Sequence, residues 1–313
     1  MVDDRGSRLD RVLIAAVLVS VVAGCGGAAS TSGPQGNSPV AIATGPGSPA
    51  TSPTASAEST ATPGASPAGV ELREPVVTVD GDARRIKVYL PDPAPGGKLP
   101  LVVFLHPAGG SPTQAVEDTH LDRLAGRDGF IAAFPPADHR TWDVVTRPEL
   151  IETAVDERFL EGMIDQLIRD LPVDPARVYV AGFSMGAVMT DRLACSLADR
   201  IAAAAMVAGT PWAGDACSPA RPVSILVMHG TADATFPYDA AVALAARWRS
   251  VDGCPSPTSP TPIRDIATLE ASDGCTAGTS VDFVAVEGGP HEWFETPDAT
   301  DLAWRFFDDH GRR

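Results

Sequence analysis

The sequence predicts an α/β fold, with a mostly parallel central sheet and helices on both faces. Two observations carry that expectation. From Leu99 onward, short unbroken apolar runs bounded by Gly or Pro recur along the chain, as expected of strands buried on both faces. Between most of them lie longer stretches with helical periodicity, and strands alternating with helices imply βαβ units.

Taken in order, the chain opens with an address rather than a fold. Val12 to Ala23 is a continuous apolar run behind a short charged segment. At ~1.5 Å per residue it spans only about 18 Å, too short for a ~30 Å hydrocarbon core. It fits the apolar region of a signal peptide covering residues 1–24. Val22-Ala23-Gly24-Cys25 resembles the lipobox of bacterial lipoproteins, which makes Cys25 the expected lipidated first residue of the mature chain. Two acyl chains suffice for stable anchoring where one is marginal. Residues 26–69 are almost entirely Gly, Ala, Ser, Thr and Pro, with Glu58 the only charge. Such a stretch cannot bury enough apolar surface to offset ordering entropy, so residues 25–69 read as an anchor and disordered linker. A coil of that length reaches roughly 35 to 40 Å.

Residues 70–313 are then the folded domain, a size at which one core is expected. Two opening strands are predicted near 72–79 and 84–90, followed by a buried strand at Leu99–Leu105 between Gly-Gly and Pro-Ala-Gly-Gly. Similar runs at Phe130–Phe134, Val178–Ala181, Ile201–Val207, Val223–Met228 and Val281–Val286 complete the sheet. Ile151, Val155, Phe159, Met163, Leu167 and Leu171 recur every four residues, and predict a helix over Leu150–Leu171. Asp252–Ser280, rich in Pro and Thr, reads as an unusually long connection.

The net charge of -16 argues against nucleic-acid and anionic-lipid surfaces as partners. It survives removal of residues 1–24, because Asp3, Asp4 and Asp10 balance Arg5, Arg8 and Arg11. Beyond Cys25 there are four cysteines, at 195, 217, 254 and 275. An even number in an exported chain suggests bridges, and none has zinc-ligand spacing. Of the three possible pairings, nearest neighbours close loops of comparable length, so Cys195 with Cys217 and Cys254 with Cys275 is the expected one. A closed loop of ~22 residues contributes roughly 3 kcal/mol by the chain-entropy estimate.

The chemistry is concentrated in a few loops after strands. Gly182-Phe183-Ser184-Met185-Gly186 matches the G-x-S-x-G nucleophile elbow, and here it follows a predicted strand and precedes a predicted helix over Ala187–Leu197. A serine needs a base oriented by a carboxylate, and in this arrangement the chain order is Ser, acid, His. His291, in the turn Gly288-Gly289-Pro290-His291 after the last strand, is the expected base. Asp233, in the loop leaving Val223–Met228, is the expected acid. The backbone N–H of Met185 and that of Ala108 are the expected oxyanion donors, since Pro107 has none. His106 reads as a structural residue fixing that loop. Trp142, Trp212 and Trp293 fall in loops near strand ends. They are the candidate lining of an acyl or aromatic pocket, with core or rim packing as the alternative for each.

Leu105-His106, Gly-Phe-Ser184-Met-Gly, Leu193-Ala194-Cys195, His229-Gly-Thr-Ala-Asp233, Asp252-Gly-Cys254 and Gly-Gly-Pro-His291-Glu-Trp293 together resemble the polyhydroxybutyrate depolymerase and feruloyl esterase group of α/β-hydrolases. The resemblance covers roughly residues 72–310. It implies an α/β-hydrolase fold, an esterase using Ser184, Asp233 and His291 without a cofactor or metal, and both cysteine pairings. The family usually has Gly at positions 107 and 290 and Pro at 294, where this chain has Pro107, Pro290 and Phe294. Competing readings are an acyltransferase on the same fold, a tethered binding module, and a metal hydrolase built on His106, His229 and Asp233. The expected partner is a small or oligomeric ester, with the membrane met only through the anchor and the oligomeric state left open. With no binding domain after a final helix containing Trp304, Phe306 and Phe307, soluble short-chain or aromatic esters are favoured over crystalline polyester.

Overall fold

The computed structural model describes residues 69–144, 154–212 and 217–312. The expected signal peptide, Cys25 and all of the linker but Gly69 lie outside the described residues. The first strand, β1 (Val70–Arg73), ends before Glu74-Pro75, where Pro75 has no N–H to continue a ladder. The chain then forms a separate hairpin of β2 (Val76–Val79) and β3 (Asp82–Arg85), and rejoins the main sheet as β4 (Lys87–Pro91). Each of the two expected opening strands is thus two. The hairpin turn is Asp80-Gly81, with φ of 51° and 87°, the paired positive φ values that a two-residue primed turn requires.

The remaining strands are β5 (Leu99–Leu105), β6 (Ile131–Phe134), β7 (Val173–Phe183), β8 (Ala203–Val207), β9 (Ser224–Gly230), β10 (Thr261–Arg264), β11 (Ala267–Ser272) and β12 (Val281–Val286). They form one sheet with the order β1-β4-β6-β5-β7-β8-β9-β12-β11-β10. The centre, from β6 to β12, is parallel throughout. Antiparallel strands flank it on both sides. All seven residues of β5 are buried, as the apolar run required.

Among the described residues six α-helices cover the sheet: α1 (Pro112–Thr119), α2 (Leu121–Asp128), α3 (Val155–Asp170), α4 (Met185–Ser196), α5 (Tyr238–Val251) and α6 (Ala299–Asp309). Alternate residues of each central strand face opposite layers. Leu101, Val103, Val178 and Val180 pack with Phe159 and Met163 of α3, Leu193 of α4 and Trp248 of α5. Val102, Phe104, Tyr179 and Ala181 pack with Leu124 of α2 and Trp304 and Phe307 of α6. Each such aromatic or aliphatic side chain removed from water contributes roughly 1.5–3 kcal/mol. Local signals set the helix ends: Ser111 Oγ accepts the Gln114 N–H ahead of Pro112, and Asp298 accepts the Thr300 and Asp301 N–H groups. The expected helix over Leu150–Leu171 begins at Val155 among the described residues.

Asp252–Ser280 departs from its expected lack of structure. It contains β10 and β11, and β11 pairs with β12 over its whole length. The prolines that disguised it are tolerable because β10 is an edge strand, where Pro262 need not donate to a ladder. Both expected disulfides are present: Cys195–Cys217 ties α4 to the loop after β8, and Cys254–Cys275 spans the base of this hairpin. Among the described residues no helix is long and apolar enough to cross a membrane.

Candidate active site

Ser184 sits between β7 and α4 with φ 56° and ψ −120°, a conformation that side chains with a Cβ rarely adopt. Its surroundings hold it there. The Ser184 N–H donates to Val207 O of β8 at 3.0 Å, and its carbonyl accepts the Ala187 and Val188 N–H groups of α4. The flanking glycines are required by contact: a Cβ on Gly182 would lie 2.3 Å from Gly186 O, and one on Gly186 only 2.0 Å from Leu105 O.

His291 is delivered from the turn after β12. Its Nε2 is 2.8 Å from Ser184 Oγ, and its Nδ1 is 2.7 Å from Asp233 Oδ2. Because a carboxylate only accepts, Nδ1 carries the hydrogen and Nε2 is left to accept the Ser184 hydroxyl. Phe183 and Phe236 flank the ring at centroid distances of 5.2 and 5.5 Å. The turn is seated against the end of β9 by backbone contact, since a Cβ on Gly230 would lie 2.0 Å from Gly289 O. Gly230 therefore admits the histidine turn, and Pro290 leaves it in reach.

Asp233 has no exposed side-chain surface. Burial by itself would raise its pKa, but donation from His291 and from the Phe236 and Thr235 N–H groups outweighs burial, and the pKa lies below the usual carboxylate value. The carboxylate is therefore held ionised where an imidazolium would form.

Ala108 lies in the loop after β5. Gly109 N–H donates to Arg140 O and Gly110 N–H to Pro107 O, while the Ala108 N–H has no protein partner among the described residues. Met185, as the first residue of α4, likewise has an N–H with no intrahelical acceptor. Among the described residues, then, neither amide has a protein acceptor. The loop is clamped from residues 137–142. His106 donates from Nδ1 to Pro107 O and accepts the Ala137 N–H at Nε2. The Trp142 indole N–H donates to His106 O at 2.8 Å, and Arg140 donates to the carbonyls of Gly109 and Gly110.

The three tryptophans separate. Trp142 is fully buried beside the His106 ring, so it offers no pocket surface; its place is under the loop that carries Ala108. Trp293 is half-buried, set edge-on to Phe104 at 5.0 Å, and donates to Thr300 Oγ1, which is packing between the sheet and α6. Trp212 is half-buried in the loop after β8. Its N–H donates to Asp191 Oδ2 at 2.7 Å and its ring lies 5.2 Å from the Arg192 guanidinium.

Three supporting residues escaped the sequence reading. Asp191, fully buried, also accepts the Trp248 indole and pairs with Arg247. Its signal was present: a charge at the helical register of Ala187, Val188, Ala194 and Cys195. Asp156 accepts the Asp138 and Asp143 N–H groups and pairs with Arg84, fastening both ends of the Trp142 loop. Arg140 had no signal in sequence. Among the described residues no group of three His, Cys, Asp or Glu side chains is arranged to hold a metal ion.

Comparison with known proteins adds to this geometry. The family model for esterase PHB depolymerases matches residues 85–257, more than half of the chain. A bifunctional acetylxylan esterase/xylanase of Neocallimastix patriciarum is 30% identical over 236 residues, 72% of this chain and 33% of that protein. Feruloyl esterase B of Piromyces equi is 30% identical over 233 residues, 66% of this chain and 42% of that protein. The chain thus spans a third to under half of the length of these relatives. The solved acetyl xylan esterase from Aspergillus awamori superposes with a TM-score of 0.64 at 18% identity, covering 76% of this chain and 99% of that one. The fold is that of the α/β-hydrolases.

Proposed function

This chain belongs to the esterase PHB depolymerase family, and from that premise we propose that it is a serine carboxylic ester hydrolase with Ser184, His291 and Asp233 as its triad. One observation carries the reading: the His291 ring bridges Ser184 Oγ and Asp233 Oδ2 at 2.8 and 2.7 Å. In this mechanism His291 Nε2 takes the Ser184 proton as Oγ attacks the ester carbonyl. The Met185 and Ala108 N–H groups donate to the oxyanion, and the ionised Asp233 stabilises the imidazolium. Collapse releases the alcohol with the proton from His291. Water then gives a proton to His291, attacks the acyl-enzyme, and frees the acid and Ser184.

The substrates proposed are soluble short-chain or aromatic esters, in keeping with the feruloyl and acetylxylan esterases among the relatives. The proposed setting is the cell envelope, with Cys25 lipidated and the linker as tether. Val22-Ala23-Gly24-Cys25 supports it, and the two disulfides fit an oxidising compartment. A domain fixed to a membrane cannot travel over a polyester granule, which favours soluble esters. The expected outcome is fluorophosphonate labelling at Ser184, with p-nitrophenyl acetate or methyl ferulate turned over far faster than crystalline polyhydroxybutyrate film. Folded protein that takes no label excludes the serine mechanism, and rapid clearing of the film excludes the substrate preference.

A further inference from the structure

A second buried imidazole stands beside Asp233 and takes no part in those steps. His229 lies near the end of β9 with no exposed surface. Its Nε2 is 3.0 Å from Phe236 O and 3.3 Å from Asp233 Oδ2. Both neighbours are acceptors, so Nε2 carries the hydrogen, and Nδ1 is left bare without a hydrogen-bond partner. Burial holds this ring below its usual pKa, against the opposing pull of the Phe236 carbonyl and Asp233, with His291 acting in the same direction as burial. The ring is therefore neutral at physiological pH. Asp233 and His291 are the titratable groups facing it, and the Tyr238 ring of α5 lies 6.3 Å away.

A neutral ring with an orphan nitrogen is a poor space-filler, because a hydrocarbon side chain would occupy the volume with no unpaired acceptor. What the imidazole adds is one N–H donated to the Phe236 carbonyl, with Asp233 Oδ2 3.3 Å from the same nitrogen but outside hydrogen-bond geometry. The loop is already closed on the other side, where Asp233 Oδ1 accepts the Thr235 and Phe236 N–H groups. Among the described residues Oδ2 accepts its hydrogen bond from His291, the group that must be oriented.

We propose that His229 is a positioning residue, whose Nε2–H, by donating to Phe236 O, locks the Asp233–Phe236 loop and so keeps Oδ2 turned toward His291 Nδ1. The proposal rests on the triad reading above. In full-length protein, His229→Phe removes the donor and His229→Asn holds it too short, whereas the longer amide of His229→Gln reaches the position of Nε2. The Phe and Asn variants are expected to lose about ten- to a hundredfold in kcat, the scale of a misplaced catalytic group, with KM within about twofold. His229→Gln recovers most of kcat, which a purely space-filling role would not allow while Asn fails.

Rates are taken per active site titrated with a fluorophosphonate, so an unfolded fraction does not count. If His229→Phe does not fold, the Gln and Asn pair carries the same contrast. Wild-type kcat in the Asn variant, or equal losses in Gln and Asn, overturn the proposal in favour of space-filling. Failure of wild-type protein to label at Ser184 would instead remove the triad reading itself.

Discussion

The two ends of β9 each have an aspartate side chain removed from solvent nearby, and the two carboxyl pKa values are shifted in opposite directions. Asp233, beyond the carboxyl end, is surrounded by donors and its pKa is lowered despite burial. Asp252, at the end of α5 near the start of β9, is fully buried, and its Oδ1 has no hydrogen-bond partner. Burial pushes its pKa up to about 7, against weaker opposition from the Val223 N–H, Thr279 and Arg221. The direction of each shift is thus a balance: Asp252 lies deeper and has fewer donors, while around Asp233 the donors outweigh a weaker desolvation. At the site the donors keep the charge that the histidine needs. At the other end a carboxyl that is protonated for part of the physiological range sits beside the Cys254–Cys275 bridge.

The largest expected effect tests the charged end. Asp233→Asn removes the charge and leaves the shape, and turnover of p-nitrophenyl acetate is expected to fall by about 10⁴ with thermal stability little changed. Retention of more than a tenth of wild-type turnover would show that another carboxylate orients His291.

The next effect is on stability and belongs to Asp252. Its folded pKa is raised from 3.8 to about 7, so the folded state holds the proton more tightly than the unfolded chain. Stability is fully present below pH ~4 and is lost as pH rises toward about 7, a change of up to about 4 kcal/mol. Asp252→Asn cannot ionise, so its Tm relative to wild type should rise between pH 4 and pH 8 while kcat is unaltered. Parallel Tm curves for the two proteins across that range would mean that Asp252 is ionised and paired in the fold.

The smallest effect concerns the proposed oxyanion side, where side chains as well as backbone contacts set the geometry. Trp142→Phe removes one donor from His106 O and keeps most of the buried ring. A net loss of ~1 kcal/mol of hydrogen bonding near the Ala108 loop corresponds to a fall in kcat of about fivefold, with KM less affected. An unchanged kcat would show that His106 and Arg140 hold that loop without the indole.

Much of the molecule was legible from residue order. The parallel centre followed from apolar runs, because strands buried on both faces must be apolar on both. Ser184, Asp233 and His291 were singled out by chain order and by their places after strands, and the structure brings those three side chains into one hydrogen-bonded line. Four short-range features were not readable or were misread. Glu74-Pro75 divides an apparently continuous strand, Pro262 hides an edge strand, and Trp142 and Trp293 turn into packing although their loops border the site.

These depend on partners distant in sequence. Whether an edge strand pairs is decided by the neighbouring β12, and whether a loop tryptophan faces solvent is decided by His106 or by α6. The same holds for charge. Asp233 and Asp252 both lie in turns after regular elements, and nothing local marks one for a lowered pKa and the other for a raised one. Sequence determined the central strands and most helices, their order and the candidate reacting groups, since these follow from period, turn residues and chemistry carried by single side chains. Tertiary structure alone decided how deeply each tryptophan is buried and in which direction each carboxyl pKa moves, because each of those is a sum over donors, acceptors and excluded water contributed by other parts of the chain.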